Sequence, residues 1–163
     1  MKRILKHLFA PPWIVYRAFP RAALARIEAA IRESESSHAG ELRFAVEAGL
    51  HLVPILRGIT PRQRAREVFA QLDVWDTEHN SGVLIYVQLV DGNIEIIADR
   101  GISAKVSQAD WDAVCRRMQE AFRDGRFEQG VLIGIREITA LLGRHFPPRG
   151  LNPNEQTDKP TVL

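Results

Sequence analysis

Cysteine occurs once in the 163 residues, at Cys115, which excludes a disulfide within the chain and fits a reducing compartment. Acids are missing from the first 27 residues, where Lys2, Arg3, Lys6, Arg17, Arg21 and Arg26 carry all the formal charge. Long apolar runs are missing too: no stretch approaches the ~20 residues a helix needs to cross a bilayer. The start of the chain does not read as a signal peptide, because Lys6, His7, Pro11 and Pro12 interrupt the apolar region one would need. The N-terminus therefore reads as retained and the protein as cytoplasmic, or peripheral at the inner membrane. No Gly-x-Ser-x-Gly elbow, phosphate-cradling glycine loop or His-Glu-x-x-His pair is present. The net charge of +2 names no partner. Nucleic acid is not an expected partner, because the basic residues are spread over separate helices and the aromatics read as core.

Residues 1–19 combine base with bulk and read as an N-terminal arm. Lys2, Arg3, Lys6, Trp13 and Arg17 suit contact with an anionic membrane surface; the alternative is an arm folded back on the domain's own apolar surface. Pro20 opens a helix in which Leu24, Ile27 and Ile31 recur at helical spacing, and Gly40 follows it as a stop. Glu41 to Glu47 alternate, with Leu42, Phe44 and Val46 on one side and Glu41, Arg43 and Glu47 on the other. This predicts a half-buried strand, nearer an edge than the later Val83 strand. Gly49 to Gly58 read as an ordered loop or short strand. Thr60-Pro61-Arg62-Gln63 is a helix start with a capping box. Ala65, Val68, Phe69 and Leu72 form its buried stripe, and Arg62, Arg64 and Arg66 a solvated basic face.

The densest signal runs from Trp75 to Ile102. Val83 to Val90 are apolar except for Gln88, as in a strand buried on both faces. Asp91-Gly92 marks a hairpin turn, and Ile94 to Ala98 return. The hairpin lays the polar groups before the first strand beside those after the second. A third helix starts at Ser107, with Trp111, Val114, Cys115, Met118 and Phe122 on one face. A fourth runs from Glu128 to His145, with Gly130 and Gly134 spaced for close packing. Residues 147–163 read as an extended or disordered tail.

The order of elements predicts an α/β fold, a three-layer α/β/α sandwich with a mixed sheet of about four strands. The core domain spans 20–146. Asn80-Ser81-Gly82-Val83-Leu84-Ile85, the hairpin into Ile94-Glu95-Ile96, Gly101-Ile102, and Phe122-Arg123-Asp124-Gly125-Arg126-Phe127 ahead of a glycine-bearing helix resemble the TPM domain family, formerly a domain of unknown function. The resemblance is to its short, single-domain bacterial branch, over roughly residues 20–146. It implies the α/β/α sandwich, a divalent-metal site of acidic side chains, and the phosphatase label in the family name. This chain departs from longer members in carrying Asp99-Arg100-Gly101 where they have a Gly-Tyr-Gly turn.

Asp76, Glu78, Asn80 and Asp99 are the candidate ligands for a hard cation, Ca²⁺ or Mg²⁺, which wants several oxygens. His79 and Arg100 are candidate phosphate or anion contacts. The bland alternative has Asp76 and Asn80 making turns, and Asp99 paired with Arg100 or an arginine of the second helix. Two functions follow: a non-catalytic binding or interaction module with a protein partner, acting near a membrane surface, or a metal-dependent phosphatase-like hydrolase.

Overall fold

The structure, a computed structural model, describes residues 11, 13–49, 58–148 and 153–163. Lys2, Arg3 and Lys6 of the candidate membrane contact, and most of the expected loop at 49–58, lie outside the described residues.

In chain order the elements are α1 (Trp13–Ala18), α2 (Arg21–Glu35), β1 (Glu41–Glu47), α3 (Pro61–Gln71), β2 (Gly82–Gln88), β3 (Asn93–Ala98), α4 (Arg100–Ser103), α5 (Gln108–Arg123), α6 (Phe127–His145) and β4 (Thr161–Val162). The sheet order is β3-β2-β1-β4. β1 and β2 are parallel, with Glu41 opposite Gly82; β2 and β3 are antiparallel, with Val83 opposite Ala98; β4 is parallel to β1. This is the expected mixed, four-stranded sheet, and β2 lies inside it with every residue buried.

The two faces of the sheet are covered unequally. Leu42, Phe44, Val46, Val83, Ile85, Val87, Ile94 and Ile96 pack with Ile27 and Ile31 of α2, Trp111 and Met118 of α5, and Val131 and Ile138 of α6. Ala45, Leu84, Tyr86 and Ile97 face Ala65 and Val68 of α3. A Cβ on Gly134 would sit 2.5 Å from Met118 Sδ, and one on Gly130 2.6 Å from the Phe122 ring. The glycine pair is thus the seam that lets α6 lie close on α5. Phe122 is half-buried rather than sealed, because it stacks edge-on with Phe127 and Phe19 at the rim of the core. Among the described residues no helix is long and apolar enough to cross a membrane.

Two expectations are corrected, and a third is narrowed to one of its alternatives. β1 is not half-buried: all seven residues are enclosed, including Glu41, Arg43 and Glu47. The alternation is real, but its charged side is covered as well. Arg64 does not belong to a solvated basic face. It lies against the sheet and grips Glu47 through Nε and Nη2, both at 3.1 Å, while the Tyr86 hydroxyl donates to the same carboxylate. Burying that carboxylate without its partners would cost several kcal/mol. The tail is extended but not disordered over residues 153–163: Thr161 and Val162 pair with Ala45 and Val46, and the Leu163 amide donates to Val46 O at 2.9 Å.

Candidate functional site

The hairpin brings its two ends together as the sequence suggested. Asp99 N donates to Gly82 O at 2.8 Å, Gly101 N donates to Asn80 O at 3.1 Å, and Arg100 Nε donates to Asn80 Oδ1 at 3.1 Å. Asp99 caps the short α4, its Oδ1 accepting from Arg100 N at 2.7 Å. Loop 73–80 is held on this side by two glycines. A Cβ on Gly82 would lie 1.9 Å from Val74 O, and one on Gly101 2.6 Å from both His79 O and Asn80 O. No side chain fits at either place. Asp73 and Asn80 sit in the left-handed region at φ 52° and 51°, where these two residue types are among the tolerated ones.

Beside this loop, where β1 and β2 begin and β3 ends, is a cleft of about 440 Å³ lined by Ala39, Glu78, His79, Asn80, Ser81, Gly101, Lys105 and Phe146. Lys105 Nζ stands 5.2 Å from the centroid of the Phe146 ring, a cation–π distance. The cleft combines acceptors, donors and one aromatic wall.

Not all the sequence-stated candidates converge there. Glu78, His79 and Asn80 line the cleft; Asp76, Asp99 and Arg100 do not. The backbone of the 76–78 turn is instead tied to the C-terminal segment, Glu78 N donating to Glu155 Oε2 at 2.8 Å and Gln156 Nε2 donating to Asp76 O at 3.2 Å. Arg100 meets the Asn80 amide, and Asp99 meets the Arg100 backbone rather than its guanidinium. Asp99 Oδ2 is buried without a hydrogen-bond partner. Among the described residues, however, no group of three or more His, Cys, Asp or Glu side chains is placed to hold a metal ion. A hard cation takes at least six oxygens, and as they stand these residues do not fit a resident one.

The strongly perturbed groups lie elsewhere. Glu35, deprived of water, has its carboxyl pushed up to about 8 even though it accepts from Leu42 N at 2.7 Å. Burial also raises Glu41, and burial lowers Arg43. Burial pulls His38 down to about 4. Its Nδ1 accepts from Gly40 N at 3.2 Å, so Nε2 carries the proton and donates to Ser34 Oγ at 2.8 Å. Ser34 Oγ then donates to Thr139 Oγ1 at 2.6 Å, and Thr139 donates to Ile135 O at 2.7 Å. The direction of the chain makes His38 a donor to Ser34, the reverse of what nucleophile activation needs. Cys115, raised to about 12 by burial, is a core thiol.

Sequence reasoning missed Lys105, which stands in Ala104-Lys105-Val106 with no local signal. It also missed the buried charges Glu41 and Arg43, whose alternation on β1 was visible but whose cover, the C-terminal segment, was not.

The family model for the TPM domain matches residues 17–141. The NMR structure of BA42 protein from the psychrophilic bacterium Bizionia argentinensis is similar at 30% identity and a TM-score of 0.77, covering 87% of this chain and 93% of that one. Among curated proteins none matches.

Proposed function

The chain belongs to the TPM domain family, and from that premise we propose that it acts as a non-catalytic binding module whose cleft beside loop 73–80 takes a segment of a partner protein. The observation that carries this reading is the character of the cleft. Its walls include both an acid, Glu78, and a base, Lys105, and add the Asn80 and Ser81 positions and the Phe146 ring. A peptide, with alternating amide donors and carbonyl acceptors, complements such mixed walls better than a phosphate ester, which wants converging cations. The groups with shifted proton affinity, Glu35, His38 and Glu41, do not line the cleft.

The other reading is a metal-dependent phosphatase-like hydrolase, and the unpartnered Asp99 Oδ2 is the observation that favours it. No step is derived through a metal, because the donor set does not fit one. A phosphate-ester assay with and without Mg²⁺, Mn²⁺ or Ca²⁺, run on the native chain and on Asp76→Ala, separates the two. The binding module gives no cation-dependent turnover in either protein. Turnover that needs the cation and falls in Asp76→Ala would replace the module with the hydrolase. We further propose that the module works at an anionic membrane surface, since Trp13 and Tyr16 of α1 stand 58% and 50% exposed beside exposed Arg17 and Arg21.

A further inference from the structure

The geometry points to residues 153–163 acting as a clasp that holds loop 73–80, and with it the cleft wall, in its binding shape. Glu155 and Gln156 are the positioning residues and Arg43 is the anchor. The importance of the clasp for function rests on the cleft reading above; its existence does not.

At the loop end, Glu155 Oε2 accepts from Glu78 N at 2.8 Å, and Gln156 Nε2 donates to Asp73 O at 3.0 Å and to Asp76 O at 3.2 Å. Two carbonyl acceptors at one amide nitrogen leave no choice of orientation for the Gln156 amide. At the sheet end, Gln156 N donates to Glu41 Oε2 at 3.1 Å, Arg43 Nη1 donates to Thr157 O at 3.2 Å, and Arg43 Nη2 donates to Thr161 Oγ1 at 3.2 Å. Arg32 pairs with the buried Asp158 at 3.0 Å, and Leu163 N closes on Val46 O. Residue 156 is thus bonded to β1 through its backbone and to the loop through its side chain.

The loop needs such support from outside. Its two ends sit at positive φ, which Asp and Asn tolerate but at some cost relative to ordinary backbone, so contacts from outside help to hold them. One side is enforced by the close approach of Gly82 and Gly101. On the opposite side, Asp73 O, Asp76 O and Glu78 N are held by the two clasp residues. Release of the clasp leaves the cleft wall fastened at Asn80 and loose at Glu78.

Amide hydrogen exchange on the ligand-free full chain tests this, with Gln156→Ala, Glu155→Ala and Thr161→Val. Thr161 does not touch the loop in the bonds above, and valine keeps its shape and β preference while removing the acceptor. If the segment acts as one unit, the Glu78 amide exchanges about tenfold faster in all three variants, while Ile85, in the middle of β2, keeps its native rate. If Thr161→Val speeds exchange at Leu163 and leaves Glu78 untouched, the segment does not transmit and the proposal is overturned. Unchanged Glu78 exchange in Glu155→Ala overturns it as well. Glu155 is exposed, so that variant carries no burial whose loss would unfold the chain. All these readouts are taken without a ligand, so a clasp that stands while the cleft binds nothing would refute the binding reading alone.

Discussion

At position 35 a carboxyl that ordinarily ionises below pH 5 keeps its proton to about pH 8, because burial penalises its charged form and Glu41 and Asp158 crowd it. Its folded affinity for the proton exceeds the unfolded one, so the stability it contributes is whole below about 4.5 and is lost as pH rises to about 8. His38 works in the opposite sense. Its folded value near 4 lies below the unfolded 6.5, so its contribution is whole above 6.5 and is lost as pH falls to about 4. The slopes of Glu35 and His38 oppose each other between about 4.5 and 6.5, and between 6.5 and 8 that of His38 has ended while that of Glu35 continues. The urea midpoint of the native chain should therefore change little from pH 5 to 6.5 and fall from 6.5 to 8. In Glu35→Gln the fall above 6.5 should flatten and a rise from 4.5 to 6.5 should emerge. A midpoint in Glu35→Gln that still falls between 6.5 and 8 as in the native chain would place the titrating group elsewhere.

At the scale of elements, loop 73–80 depends on two glycines that have no turn to make. Gly82 is a strand residue and Gly101 a helix residue, and each is small because a backbone carbonyl occupies the space of a Cβ. Gly101→Ala should leave the core intact while displacing residues 79 and 80. The expected readout is shifted amide resonances at His79 to Ser81 with those of α6 unmoved, and a loss of about 1–3 kcal/mol, as for other overpacked sites. Gly82→Ala meets Val74 backbone at 1.9 Å and should cost more; equal stability of the two variants would contradict this ranking. These glycines explain what was legible. Asn80-Ser81-Gly82-Val83 and Gly101-Ile102 carried the family resemblance, and they are the places where the loop locks to the sheet. The helices were legible for local reasons: the capping box at Thr60 formed as written, and Ser107, read as a helix start, caps its helix with Asp110. The burial of β1's charged side was not, since Glu41, Arg43 and Glu47 find their partners in α3 and in residues 156–161, far off in sequence. Nor was the scatter of Asp76, Glu78 and Asp99, because hairpin register fixes which residues are opposite and not where a carboxylate points.

For the whole molecule, α1 lies within a stretch of sequence free of acids, with Trp13 and Tyr16 exposed while Val15 and Phe19 are buried in the core. Interfacial aromatics beside arginines should hold the chain reversibly on anionic vesicles and release it as salt shortens the screening length to a few Å near 1 M. Co-sedimentation with phosphatidylglycerol vesicles should fall in Trp13→Ala/Tyr16→Ala, and binding by that variant equal to the native chain would rule this face out. At the opposite scale of contact, the β1 side of the sheet is finished by a strand of only two residues. A sheet margin is a template on which a foreign strand can grow. Among the described residues Glu41 to Phe44 have no ladder partner on that side, and it is the bonds of the Glu41 and Arg43 side chains to Gln156 N, Thr157 O and Thr161 Oγ1 that keep the margin closed. The segment proposed to hold the cleft wall is therefore also the one that guards the solution against clumping. A molecule whose last eleven residues peel away would present an adhesive border to its neighbours long before its core came apart, so its tendency to aggregate and its loss of recognition should begin together.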